Sequence, residues 1–245
     1  MRILIVNPNT TASMSEKAAL AARAVAGHGT EIIAATSKSG PASIEGHYDG
    51  AIAVPGLLTE IREGEAAGAQ AAIIACFDDT GLDAARALAD IPVLGLCESA
   101  VITAALLAQR FTVVTTLERS RTLIENLIRH YGMVGRAKVR AADIPVLELE
   151  DEASGALQKL KRQIERALEE DGAEAIVLGC AGMADLARSL QRDYGVPVID
   201  GVAAAVKQAE ALVAQGLKTS KRSSYATPLP KLYTGAMRGF APTGS

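Results

Sequence analysis

Of the three cysteines in the chain, Cys76 and Cys180 each follow a short apolar run, Ile73-Ile74-Ala75 before one and Ile176-Val177-Leu178-Gly179 before the other. A thiol at the end of a strand and ahead of a helix lies where amide N–H groups and the helix dipole favour a thiolate. With an ordinary pKa near 8.5 only about 3% of a thiol is ionised at pH 7, and lowering the pKa by ~1.5 would raise that to about half. Either cysteine alone would read as a small buried hydrophobe. As a matched pair at equivalent points of a duplicated unit they would face each other across its symmetry axis, which reads as a functional pair. Cys97 has no such counterpart, since Gly201 or Val202 stands at the comparable place in the second half, and it is assigned to packing.

The pairing rests on internal repetition. From Cys76 to Pro92 of Ile91-Pro92-Val93-Leu94-Gly95 is 16 residues, and from Cys180 to Pro197 of Val196-Pro197-Val198-Ile199-Asp200 is 17. Upstream, Thr10 of Asn7-Pro8-Asn9-Thr10 precedes Cys76 by 66 residues, and Thr116 of Val113-Val114-Thr115-Thr116 precedes Cys180 by 64. Strands are expected over residues 3–6, 31–35, 72–75, 93–96, 111–115, 138–141, 175–178 and 196–199, with helical patterns between most of them. This is the alternation of parallel strands and crossover helices in an α/β fold. The expected architecture is two pseudo-symmetric lobes, each a mostly parallel sheet flanked by helices, with the active site in the cleft between them. Residues 1–95 with about 203–220 would form the first lobe, 96–202 the second, and 221–245 an irregular C-terminal extension, part of which (Tyr225 to Tyr233) could dock on the body or on a neighbouring subunit.

Composition narrows the partners. Nearly half of the 245 residues are apolar, 22% are charged and the net charge is −3, so a packed core is available and no basic field exists for nucleic acid. There is no Trp, and aromatics are too few for a base-stacking platform. No apolar run approaches the roughly 20 residues that span a bilayer, and Asn7 interrupts the N-terminal run too early for a signal peptide. A cytoplasmic protein with free thiols, a small-molecule substrate and a homo-oligomeric state is expected, with neither nucleic acid nor membrane as partner.

Around the cysteines, Asn7, Asn9, Thr10, Thr115 and Thr116 supply donors and acceptors at strand ends, where they read equally as helix caps. Thr80-Gly81-Leu82-Asp83 is an approximate capping box for the helix after Cys76, and Met183, Leu186, Ala187 and Leu190 have the spacing of a buried helical face after Cys180. Asp78 and Asp79 would raise a neighbouring thiol's pKa; Asp79 is therefore expected to be a cap pointing away. Ser43-Ile44-Glu45-Gly46-His47-Tyr48-Asp49 reads as a polar loop that could fold over a ligand. No Cys/His cluster suggests zinc, and no GxGxxG, P-loop or GxSxG motif is present.

At these residues the sequence resembles the Asp/Glu/hydantoin racemase superfamily, within it the hydantoin and allantoin racemase branch. The resemblance runs through Asn7-Pro8-Asn9-Thr10, Ser43-Ile44-Glu45-Gly46-His47, Ala75-Cys76-Phe77-Asp78-Asp79-Thr80-Gly81-Leu82, the strand ending Thr115-Thr116, and Leu178-Gly179-Cys180-Ala181-Gly182-Met183. It implies that Cys76 and Cys180 are the catalytic thiols, and that Pro8, Asn9, Ile44, Phe77, Thr115, Thr116, Ala181 and Gly182 lie at or near the substrate; Asp78 is added to that set. It also implies a racemase needing no cofactor. Aspartate and glutamate racemases usually follow a catalytic cysteine with Asn-Thr; here Phe77-Asp78 and Ala181-Gly182 stand there, which favours a neutral ring over a free amino acid. The expected reaction is inversion at C5 of a 5-substituted hydantoin, with allantoin as the alternative substrate and a non-catalytic two-lobed binding protein as the alternative of another class.

Overall fold

The computed structural model describes residues 1–146, 148 and 154–242. Eight parallel strands form two four-stranded sheets. The first contains β1 (Arg2–Asn7), β2 (Glu31–Thr36), β3 (Ala71–Ile74) and β4 (Val93–Gly95) in the order β2-β1-β3-β4. The second contains β5 (Phe111–Thr115), β6 (Ala137–Ala141), β7 (Ala175–Gly179) and β8 (Val198–Asp200) in the order β6-β5-β7-β8. The two orders are the same, and the central pairs match in register: two residues before each cysteine, Val6 lies opposite Ile74 in one sheet and Val114 opposite Leu178 in the other. The repeat seen in the sequence is thus a repeat of topology, in an α/β fold.

The helices are α1 (Ala12–Val25), α2 (His47–Ala66), α3 (Leu82–Leu88), α4 (Leu96–Leu107), α5 (Glu118–His130), α6 (Ala156–Glu170), α7 (Ala187–Tyr194) and α8 (Gly201–Ala214). Strand side chains alternate between faces. Ile3, Ile5, Ile73, Val113 and Val177 point into a central core shared by both sheets and filled by α1, α4 and α8. Leu4, Val6, Ala72 and Ile74 face an outer core under α2 and α3, while Val114, Ile176 and Leu178 face a second outer core under α6 and α7. Each fully buried Ile or Leu stabilises the fold by about 1.5–3 kcal/mol.

The central helices approach closely because their contact faces are mostly alanine: Ala18, Ala19 and Ala22 of α1, Ala100 and Ala104 of α4, and Ala204, Ala205 and Ala209 of α8 are all buried. α4 packs on β7 as well as on β4, and α8 on β3 as well as on β8, so each reaches across to the other sheet. Gly201, the first residue of α8, lies so near the start of α4 that a Cβ there would stand 3.0 Å from the Leu96 carbonyl oxygen. The two equivalent helices therefore meet at their first turns.

The chain beyond α8 is a strap. Thr219 bonds the Asp90 and Ile91 carbonyls, the Lys221 ammonium donates to the carbonyls of Arg86 and Ala87, and Tyr225 donates to Asp83 while Arg86 sits over its ring. Docking thus begins before Tyr225, on the last turn of α3 and the turn after it.

Candidate active site

In open parallel sheets ligands bind at the carboxyl ends of strands where the order reverses. Those places here are the ends of β1 and β3 in one sheet and of β5 and β7 in the other. They converge on one small cavity of about 60 Å³. Its walls are Asn7, Asn9, Met14 and Ile44, then Ala75 to Asp78, then Thr115, Thr116, Ser120 and Val146, and finally Gly179 to Gly182.

Cys76 and Cys180 enter it from opposite sheets. Beyond β3 the ladder runs one bond further, Ala75 N–H to the Val6 carbonyl, and the chain then turns tightly as Cys76 N–H bonds the Ile74 carbonyl at 2.8 Å. The Thr80 hydroxyl donates to the Cys76 sulfur at 3.5 Å, and the Asp78 backbone N–H faces the same sulfur. Cys180 follows β7 directly and opens a 3-10 turn over Ala181–Leu186, its sulfur facing the Gly182 N–H. Both residues are half-buried; Cys97, in the first turn of α4, is fully buried, as expected of a packing residue.

The electrostatics correct one expectation. Cys76 does not stand at a helix start: α3 begins six residues later with Gly81 as its cap, and Thr80 spends its hydroxyl on the thiol instead of on a capping box. The face expected as one helix after Cys180 is a 3-10 turn followed by α7. Neither thiol is held low. Burial pushes the Cys76 thiol far up, with the Asp78 carboxylate adding to it, against the pull of the Thr80 hydroxyl and the Asp78 N–H. Burial pushes Cys180 up to about 11; the Gly182 N–H and Lys17 oppose this and Asp78 adds to it. The amide donors are present as expected, but desolvation outweighs them.

Asp79 points away from the Cys76 thiol, though not toward its own helix. At φ +48°, a left-handed conformation uncommon for Asp, its carboxylate accepts from Cys97 N–H at 3.0 Å, Glu98 N–H at 2.9 Å and the Tyr131 hydroxyl at 2.7 Å. It caps α4 and ties the Cys76 loop to the end of α5. Burial pushes its pKa up to about 6, with the Tyr131, Glu98 and Cys97 donors pulling it down. Asp78 is pushed up to about 7 by burial and by the Asp79 charge.

The cavity collects Cys76, Cys180, Asn9, Ile44, Phe77, Asp78, Thr115, Thr116, Ala181 and Gly182. Pro8 is not on its wall; it is buried one layer behind, its carbonyl facing Gly40. The polar loop around Ile44 is shorter than expected, because α2 takes over at His47. Met14, Ser120 and Val146 join the wall without any sequence signal, since each is an ordinary residue of a helix or connection made relevant only by its neighbours. The Asn9 side-chain amide reaches only the soft Met14 sulfur at 3.3 Å, whereas the Asn7 amide is engaged by Asn9, Thr11 and Ser15. Asn9 therefore keeps donor capacity for a ligand carbonyl. Among the described residues the wall carries no Lys or Arg. A larger surface groove of about 570 Å³ between α5, β6 and α6 is lined, among the described residues, by no thiol, hydroxyl or imidazole, and its Arg140, Asp171, Glu170 and Arg166 are paired with one another.

The chain belongs to the Asp/Glu/hydantoin racemase family, whose model matches residues 3–209. It is an isomerase. Two relatives are hydantoin racemases: one from Rhizobium meliloti is 52% identical over 236 residues, covering 96% of this chain and 98% of that protein. The other, from Pseudomonas sp. (strain NS671), is 47% identical over 241 residues, covering 98% and 97%. Among solved structures, an allantoin racemase from Klebsiella pneumoniae superimposes with a TM-score of 0.96 at 48% identity, covering 99% of this chain and all of that one.

Proposed function

We propose that this racemase inverts C5 of 5-substituted hydantoins without a cofactor, with Cys76 and Cys180 as the two bases. The observation that carries the reading is the delivery of one thiol from each of two topologically equivalent strand ends, β3 and β7, into a single cavity. The adjacent carbonyl acidifies the C5 hydrogen, and its removal gives an enolate that donors can stabilise. The Asn9 amide and the N–H groups of the 180–182 turn are the donors on hand. A thiolate on one face removes the proton while the thiol on the other supplies one, and the roles exchange with the direction of reaction. The absence of cationic side chains from the described wall, together with the buried Asp78 carboxyl, disfavours free amino acids, whose carboxylates would enter unpaired beside a like charge. The three free cysteines support a cytoplasmic setting; a homo-oligomer is part of the same reading.

The likeness to an allantoin racemase structure favours a second substrate of the same class, a hydantoin ring bearing a ureido group. Polarimetry on single enantiomers of several 5-alkyl hydantoins and of allantoin tests both. Turnover of alkyl hydantoins above allantoin is expected. The reverse order would assign the ureido substrate, and inertness toward the whole panel would overturn the reading.

A further inference from the structure

The two-thiol scheme leaves one buried group on the cavity wall without a task. Asp78 Oδ2 is a buried carboxylate oxygen with no hydrogen-bond partner among the described residues, an arrangement that costs a charged carboxylate several kcal/mol and that taking up a proton relieves. Its charge bears on both sulfurs. It also lies on a wall shared by two spaces: the enclosed cavity holding the thiols, and an open groove of about 560 Å³ between the start of α2 and α5, lined by His47, Asn126 and His130.

Resting on the two-thiol reading, we propose that Asp78 takes up the proton one thiol must release to become the base, and exchanges it with solvent through the outer groove. The proton inventory gives such a group a task. A two-base racemase needs one thiolate and one thiol, a single negative charge shared by the pair, yet both thiols here are weak acids, Cys180 at about 11 and Cys76 higher. Burial and the Asp79 charge push Asp78 up to about 7, so at neutral pH about half of the sites rest with that charge on Asp78 and the thiols protonated. In the transfer an S–H bond breaks as a carboxyl O–H bond forms, turning –COO⁻ and –SH into –COOH and –S⁻. The like charge beside the new thiolate is thereby removed. The thiolate then takes the C5 proton as the opposite thiol gives up its own, and the carboxyl proton returns to whichever sulfur is left ionised. No other reactant is consumed. The titratable groups around Asp78 are Cys76 and Asp79 on its own loop, Cys180 beyond β7, Cys97 in α4, Lys17 of α1 beside Cys180, and His47 and His130 in the groove.

The test compares Asp78, Asp78→Asn and Asp78→Glu in a Cys97→Ser background. It follows kcat and KM against pH, and separately thiolate ultraviolet absorbance against pH without substrate. With Asp78 present, kcat/KM should climb through about pH 7, well below the pH at which thiolate absorbance appears. In Asp78→Asn the neighbouring charge is gone, so thiolate absorbance should appear at least about one pH unit lower. Activity should move the opposite way, up to coincide with that absorbance, with kcat at pH 7 down by roughly tenfold or more. Asp78→Glu should restore the lower limb. An unmoved activity limb in Asp78→Asn, or a change in KM alone, would show that Asp78 shapes the site or receives a ring N–H without handling the proton, and would overturn the proposal. The absorbance arm needs no substrate: unshifted absorbance sinks the role of Asp78, whereas shifted absorbance in a protein that racemises nothing on the panel sinks the racemase reading and leaves the proton link standing.

Discussion

Tyr131→Phe removes one oxygen from the contact that ties the Cys76 loop to the second sheet's α5, and its effect should depend on pH in a defined sense. The Tyr131 hydroxyl donates to Asp79 at 2.7 Å, a part-buried bond to a carboxylate, so its loss should cost about 1.5–3 kcal/mol when Asp79 is ionised. Asp79 titrates at about 6 in the folded chain, against about 3.9 for a free side chain. The folded state therefore holds this proton more tightly, and stability falls as pH rises through the window from about 4 to 6, by about 3 kcal/mol in all. The Tyr131 bond pulls the Asp79 pKa down. Without it that pKa climbs, the window extends upward, and the variant goes on losing stability where the parent has levelled off. Urea unfolding of both proteins at pH 5 and pH 8 measures this. The variant should be weaker by about 1.5–3 kcal/mol at pH 8 and by clearly less at pH 5, where protonated Asp79 has less need of a donor. An equal gap at both pH values, or none at pH 8, would refute Asp79 as an ionised anchor.

Cys76→Ser and Cys180→Ser should each abolish racemisation while keeping some hydrogen exchange in deuterated water with one enantiomer, and the two variants should prefer opposite enantiomers. Chiral chromatography with mass analysis reads both, and a shared preference would end the two-base assignment. Cys97→Ser, in contrast, should stay within a few-fold of the parent in a polarimetric assay. Gly179→Ala should destabilise by about 1–3 kcal/mol in thermal melts and lower kcat, since the new Cβ would lie 2.9 Å from the Thr115 Cα and 3.0 Å from the Val114 carbonyl, backbone that cannot yield, immediately before Cys180. Free aspartate and glutamate should be poor substrates in the same polarimeter; efficient turnover of either would contradict the charge argument made from the cavity wall.

All eight strands were legible in the sequence to within a residue or two, because a parallel sheet buried on both faces writes itself as short β-branched runs. Val93–Gly95 and Val198–Asp200, only three residues each, were signalled as much by the prolines before them as by their own composition. The cysteine pair was legible from spacing. The electrostatics were not: a strand-end thiol reads as activated, but whether desolvation or amide donors win depends on how many atoms cover the sulfur, and that is a tertiary quantity. Asp79 was read as a cap pointing away, yet its target, the first turn of α4, lies 18 residues on and could be found only once β3 and β4 were laid side by side. Pro8 and Asn9 came together as one motif, and what the sequence could not separate is that Asn9 lies on the cavity wall and Pro8 behind it.

The strap from Thr219 to Tyr225 has a consequence for symmetry. It clamps α3, a seven-residue helix too short to persist unaided, and so steadies the mount of Cys76, while Cys180 sits on a 3-10 turn that ends in α7. Two mounts of unlike build, with sulfurs that burial pushes up unequally, should treat mirror-image substrates differently. Thermodynamics limits how that difference can show. Enantiomers with one stereocentre interconvert with an equilibrium constant of unity, so the ratio kcat/KM must be equal in the two directions however lopsided the machinery. The unevenness can surface only as a matched trade, one enantiomer held more tightly and turned over more slowly, the other held loosely and turned over fast.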